Sequence, residues 1–166
     1  MTTFTHTAIG YFIARGFATT GILPDLNSTY LLGMLFANAP DIDGIMVTRR
    51  LYTHRENFYA LSHYPISWFI LSLIAFGISL YLPPIFREYV IMAAIALFSH
   101  FLLDSFDIFD GIAWLGPFIK TKFSFVTRSA SNPLTNREWS TLYRKHWLFY
   151  AECIICISAF GTAFIT

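Results

Sequence analysis

The chain has 166 residues, 55% of them hydrophobic and 13% charged, with a mean hydropathy of +0.54. Soluble domains carry about 25% charged residues, so the composition excludes an ordinary soluble fold and indicates one membrane-embedded helical domain spanning 1–166. A formal charge of +1, with no dense block of lysine and arginine, excludes recruitment of nucleic acid by bulk charge.

The opening MTTFTHTAIG has no basic n-region and no clear small-residue cleavage site, so the first apolar segment reads as a retained helix rather than a signal peptide. That segment, 5–22, has His6 at its start and contains Arg15, Gly10, Gly16 and Gly21, so it is expected to pack against protein as well as lipid. Pro24, Asp25, Asn27 and Ser28 make a turn, and 29–39 form a short second helix stopped by Pro40. At about 1.5 Å per residue this helix cannot cross a core of about 30 Å. The pair is therefore a short hairpin, re-entrant or shallow, or its second helix is tilted and extended; in each case the chain returns to the side it left.

The turn Asn38-Ala39-Pro40-Asp41-Ile42-Asp43-Gly44 leads into a polar stretch, 48–63, carrying Arg49, Arg50, His54, Arg55, Glu56 and His63. Residues 66–82 form a candidate transmembrane helix with Trp68 and Tyr81 near its interfaces, closed by Pro83 and Pro84, and 88–106 form the next. Between 107 and 146 lies a polar and aromatic excursion too long for a simple connector, with Lys120, Lys122, Arg128, Arg137, Arg144 and Lys145. Thr135 and Glu138 have the spacing of a capping box, so a helix is expected from Asn136, running into a last apolar segment at 147–165. Cys153 and Cys156 lie inside that apolar run, where packed thiols are a better reading than a redox pair. The expected fold class is all-α: an integral membrane helical bundle with a short N-terminal helical hairpin, a transmembrane hairpin, a polar excursion and a C-terminal transmembrane helix.

Arg49, Arg50, Arg55 and the basic residues of 107–146 fall on one side of this topology, against Arg87 on the other, which makes the basic side cytoplasmic. His6, Asp41, Asp43, His54, His63, His100 and Asp104 collect at that same face. The pair at the end of 88–106 is the most informative, because His100 and Asp104 are spaced i and i+4 and leave one face of a helix. Ionisable groups at the end of a membrane helix are costly and point to function. Imidazoles and carboxylates without cysteine suit zinc first, with manganese or iron as alternatives, in numbers that would serve two ions. Such ions lower the pKa of a bound water and neutralise charge on a phosphoryl or acyl oxygen, which is hydrolase chemistry.

Each residue also has a plainer reading. His6 fits a hydrogen-bonded helix start, and His63 an interfacial residue before Trp68. The Asp41-Ile42-Asp43-Gly44 turn does not open a calcium loop, because Tyr52 stands where the bidentate glutamate belongs. Asp107 and Asp110 read as solvated loop residues, and His146 as an interfacial anchor. Trp114, Phe118, Phe123 and Phe125, alternating with Lys120 and Lys122, suit either a surface among anionic headgroups or a plain aromatic belt. An ion or proton pathway ranks last, since 66–82 contains no ionisable residue.

Thr5-His6, Pro40-Asp41-Ile42-Asp43 after a short apolar helix, a basic His-containing segment, and His100-x-x-x-Asp104 followed by Gly111, Leu115, Gly116 and Pro117 together resemble the YdjM-like family. Its members are bacterial inner-membrane-associated proteins proposed to be metal-dependent hydrolases. The resemblance spans His6 to Pro117 and implies helical membrane architecture, metal dependence and a distant relation to zinc phospholipase C and single-strand nuclease folds. The family pattern H-R-G-x-T-H-S after the P-D-x-D turn has two imperfect matches here. One is Arg49 to Arg55, with arginine in place of the first histidine and of the serine; the other starts at His54-Arg55 and ends at Ser62-His63 with an insertion.

The resulting expectation is a multi-pass protein of the bacterial inner membrane whose cytoplasmic face holds one or two divalent metals and hydrolyses a phosphoester of a lipid or nucleotide-like substrate. His6, Asp41, Asp43, His100 and Asp104 would be metal ligands. His54 or His63 would complete the shell or act as acid and base, and Arg50 or Arg55 would bind substrate anion. The alternative is a non-enzymatic membrane protein in which the same cluster is a structural or partner-docking network.

Overall fold

The computed structural model describes residues 2–41, 63–107, 111–119, 121–126 and 136–165. Among them the chain forms α1 (Thr3–Thr19), α2 (Asn27–Asn38), a 3-10 turn (Ala39–Asp41), α3 (Pro65–Ser79), α4 (Pro84–Asp104), α5 (Asn136–Lys145) and α6 (Trp147–Ile165). One isolated antiparallel bridge, Ile112 with Phe123, is the sole β pairing among the described residues. The all-α expectation holds. The polar stretch 48–62 and the proposed cap at Thr135 lie outside the described residues.

The centre of the fold is the α1–α2 hairpin, and glycine sets its spacing. A Cβ built on Gly10 would lie 2.4 Å from the Gly33 carbonyl oxygen, and one built on Gly33 would lie 2.5 Å from that of Gly10. Ala37 and Ala14, one turn further along each helix, are the next atoms met, at 2.8 Å in both cases. Two small-xxx-small faces thus bring the backbones together, the packing favoured where lipid gives helices no hydrophobic reason to associate. Ala14 and Leu23 then pack on Met92 of α4, with Ile13, Phe17, Tyr30, Leu32 and Tyr89 around them. Thr29, buried there, donates to the Pro24 carbonyl at 2.9 Å and meets the Tyr89 hydroxyl at 3.1 Å.

Among the described residues two helices are long and apolar enough to cross a membrane, Pro84–Asp104 and Trp147–Phe164. α4 starts at Pro84, ahead of the expected 88, because proline suits the first position of a helix, where no N–H is needed. α3 instead stops at Ser79, short of the expected 82. Its end is tightened by i to i+3 bonds, Tyr81 N–H to Ile78 at 3.1 Å and Leu82 N–H to Ser79 at 3.2 Å, ahead of the two prolines. Its length of 15 residues, at about 1.5 Å each, falls short of a full hydrocarbon core.

α6 does not continue α5. The chain breaks at His146, whose Nδ1 accepts the Leu148 N–H at 3.3 Å, so the expected interfacial anchor acts as an N-cap. α6 then runs parallel to α1. Thr5 donates to Glu152 at 2.8 Å near one end, and Arg15 donates to the Thr162 carbonyl at 2.8 Å near the other. Trp147, Tyr150, Ile154, Ile157, Phe160 and Phe164, three or four apart, stay exposed along α6 as an apolar stripe suited to lipid.

The glycine contact yields a measurable asymmetry. Gly10→Ala is expected to lower stability by about 1–3 kcal/mol through overpacking, whereas Gly16→Ala, with nothing within 4 Å of its built Cβ, should raise it by up to about 1 kcal/mol through helix propensity. Thermal unfolding of the detergent-solubilised variants compares the two directly.

Candidate metal centre

Alternating helix direction brings one end of each helix to a common place: α1 starts there, α2 ends there, α3 starts there and α4 ends there. Each contributes a polar side chain. Asp41 sits in the 3-10 turn that closes α2, since Pro40 has no N–H with which to continue it. His63 stands two residues before α3, whose first position is Pro65, and His100 and Asp104 occupy the last turn of α4. One ligand atom from each of Asp41, His63, His100 and Asp104 lies within 4.8 Å of every other.

His100 is fully buried, and its Nδ1 lies 2.9 Å from the Ala37 carbonyl oxygen. A carbonyl can only accept, so the proton is on Nδ1, and in the neutral ring the Nε2 lone pair is left free. That Nε2 makes no hydrogen bond. It faces carboxylate oxygens instead, Asp104 Oδ2 at 3.2 Å and Asp41 Oδ1 at 3.6 Å. Three acceptors turned on one another require positive charge between them, either a second proton on the ring or a cation. Backbone anchoring of the opposite ring nitrogen is the usual support for a metal-binding histidine.

His6 stacks on His100, with ring centroids 4.0 Å apart, and its Nε2 lies 3.1 Å from Asp104 Oδ1. Asp104 therefore bridges two imidazoles, one to each carboxyl oxygen. Asn38 braces this corner by donating to Thr7 Oγ1 at 3.0 Å and to the Met34 carbonyl at 2.8 Å, which ties α2 to the residue after His6. His63 Nε2 lies 3.5 Å from Asp41 Oδ1, and both side chains are partly exposed, so the cluster is closed at His100 and open at His63 and Asp41.

A tetrahedral ion with ligands at about 2.1 Å separates its donors by about 3.4 Å. Three of the six separations, at 3.2, 3.5 and 3.6 Å, straddle that value, and all six lie within 4.8 Å. The described residues thus fit a divalent ion held by two imidazoles and two carboxylates. The fit rests on the acceptor-to-acceptor contacts at His100 Nε2 as well as on the distances.

Of the residues singled out in the sequence, Asp41, His63, His100 and Asp104 come together, and His6 lies against them through Asp104 and the His100 ring. Asp43, Arg50, His54 and Arg55 lie outside the described residues. Asp107 follows the cluster in sequence, and the Ser124 hydroxyl donates to its backbone carbonyl at 2.8 Å.

Glu152 is a residue that sequence reasoning missed. It is 3% exposed and takes Thr5 Oγ1 at 2.8 Å and the Thr2 N–H at 3.3 Å on Oε2, with the Thr2 hydroxyl on the same oxygen and the Tyr143 hydroxyl on Oε1. Burial, and then the bond to Glu152, push the Tyr143 phenol well above its usual pKa, so it stays a donor. This network fixes the first turn of α1, the turn that carries His6. The signal was available, since Glu152 is a lone carboxylate in an apolar run of membrane-helix composition.

A family model described as YdjM inner membrane protein matches residues 1–165. No curated protein and no solved structure matches the chain.

Tyr143→Phe strands a buried carboxylate oxygen and is expected to cost about 1–3 kcal/mol. Glu152→Gln, which keeps an acceptor for the threonines, should cost less than Glu152→Ala. Melting curves of the three variants rank the losses.

Proposed function

Since the chain belongs to the YdjM inner membrane protein family, we propose that its His/Asp cluster is the metal centre of a membrane-bound hydrolase acting on phosphoesters at the cytoplasmic face. The observation that carries the reading is the pair of imidazoles and pair of carboxylates from Asp41, His63, His100 and Asp104 within 4.8 Å, buried on one side and open on the other. Zinc suits this donor set best, with manganese or iron as alternatives. A divalent ion held there would bring a bound water toward a pKa of about 7 and offset charge on a phosphoryl oxygen.

The chain's own residues divide the remaining work. His100, tied to the Ala37 carbonyl, presents Nε2 in a fixed direction, and Asp104 is held by the two imidazoles on either side of it. His6 joins the shell through Asp104. His63, partly exposed at the mouth, completes the shell, and His54 acts as acid and base. Asp43 is a further metal ligand, the donors being enough in number to serve two ions, and Arg50 or Arg55 receives the anionic substrate. The excess of basic residues in 48–62 and 107–146 supports a cytoplasmic orientation.

A second reading has its own support. Asp104 between His6 and His100 is also what a purely structural polar network would look like, and such a protein would hydrolyse nothing.

Metal analysis of the detergent-purified protein separates the two. The expected result is about one equivalent or more of a transition metal per chain, lost in His100→Ala and in Asp104→Ala, with hydrolysis of a phosphoester panel falling at least about 100-fold in both. Wild type that takes up no stoichiometric metal after reconstitution overturns the metal centre.

A further inference from the structure

The segment 111–126 follows α4 and carries several large apolar side chains. It is held down firmly at both sides. Ile112 and Phe123 exchange backbone hydrogen bonds of 2.9 and 2.8 Å, and the Phe125 N–H donates to the Ser105 carbonyl at 2.7 Å. The Trp114 indole donates to the Ser105 hydroxyl at 2.9 Å. Between these anchors Gly116 lies against the Tyr64 ring, where an added Cβ would come within 2.1 Å of Cδ1. Ser105 is the residue after Asp104 and Tyr64 is the residue after His63. The segment is therefore pinned to the neighbour of one site residue on α4 and of another at the start of α3, which makes it part of the rim of the His/Asp cluster.

A pinned loop with buried Ile112 and Ala113 would be expected to turn polar groups outward. Instead Phe118 is 82% exposed, Leu115 55% and Ile119 51%. All three belong to one turn, closed by the Ile119 N–H bond to the Leu115 carbonyl at 2.9 Å. Nothing collapses them, because their backbone is fixed by the contacts above. The Trp114 and Phe125 bonds to Ser105 place this segment at the end of α4, a helix long and apolar enough to cross a membrane, and Leu102 in the last turn of α4 and Phe69 in the first turns of α3 are exposed as well. Exposed apolar side chains fixed beside the end of a membrane-crossing helix match hydrocarbon rather than water.

We infer that the Leu115–Phe118–Ile119 turn seats in the bilayer at the headgroup boundary on the site's side, so that the substrate of the His/Asp cluster is a membrane amphiphile drawn from that leaflet. The substrate half rests on the proposed hydrolase; the seating half does not. A lipid anchored by its chains beside this turn would present its headgroup at the open, His63–Asp41 side of the cluster.

The seating is tested in lipid nanodiscs with a nitroxide at Phe118→Cys, in a chain whose native cysteines are replaced by alanine. Labels at Ile157 on the apolar stripe of α6 and at exposed Arg144 on α5 serve as references. Collisions with oxygen, which concentrates in hydrocarbon, and with a water-soluble nickel chelate report the depth. The Phe118 label is expected to favour oxygen, as the Ile157 label does. A preference for nickel like that at Arg144 overturns the seating, and so does shielding from both reagents, which would mean that a second copy or another protein covers the turn.

The substrate half is tested by the ratio of hydrolysis rates on a long-chain and a short-chain phosphoester of the same headgroup. The double variant Phe118→Ser, Ile119→Ser should lower that ratio about tenfold, the effect of losing apolar burial worth one large side chain or more. An unchanged ratio overturns it. If wild type cleaves neither compound, the hydrolase reading and its substrate fall together, and the depth measurement still decides the seating.

Discussion

The close approach of two backbones at Gly10 and Gly33 is the constraint on which the rest of this molecule depends. Helices in a bilayer gain little by hiding apolar side chains from lipid, so their association depends on packing and on polar contacts between them. The Gly10–Ala14 and Gly33–Ala37 faces supply the packing. They also fix the relative height of α1 and α2, so that the start of one and the end of the other lie level. His6 and Asp41 are at those ends, and the Ala37 carbonyl that orients His100 belongs to the same small-residue face.

Polar groups in such a setting must find partners, and the structure solves this twice. Around Glu152 the solution is complete: both carboxyl oxygens receive donors, from Thr2 and Thr5 on one side and Tyr143 on the other. Around His100 it is incomplete, with Nε2 buried, without a hydrogen bond and turned toward two carboxylates. A buried polar atom left unsatisfied is costly. The contrast separates a closed brace from a cluster that still needs a second ring proton or a cation to join its acceptors. The brace also serves the site, since it holds the turn from which His6 projects.

The helices were legible because their apolar runs are long and their stops are proline, which acts locally. Even the spacing of His100 and Asp104 needed nothing beyond the 3.6-residue period. Less legible were the end of α3, drawn in to Ser79 by a tightened last turn, and the break at His146, where a side chain caps the next helix. Both depend on hydrogen bonds that composition does not announce. Glu152 was passed over because its partners come from the far end of the sequence and from another helix.

By itself, then, the sequence determined that this chain is helical, membrane-directed and equipped with histidines and aspartates at helix ends, because each of these follows from local composition and period. Only the tertiary structure decided which of them meet. Asp41, His63, His100 and Asp104 are separated by as many as 63 residues in sequence, and the distances of 3.5 and 3.6 Å from Asp41 to His63 and His100 are set by how the end of α2, the start of α3 and the end of α4 pack. The proton on His100 Nδ1 and the pinning of the 111–126 segment to Ser105 and Tyr64 were likewise invisible beforehand, because each is a contact between segments whose partners no local pattern specifies.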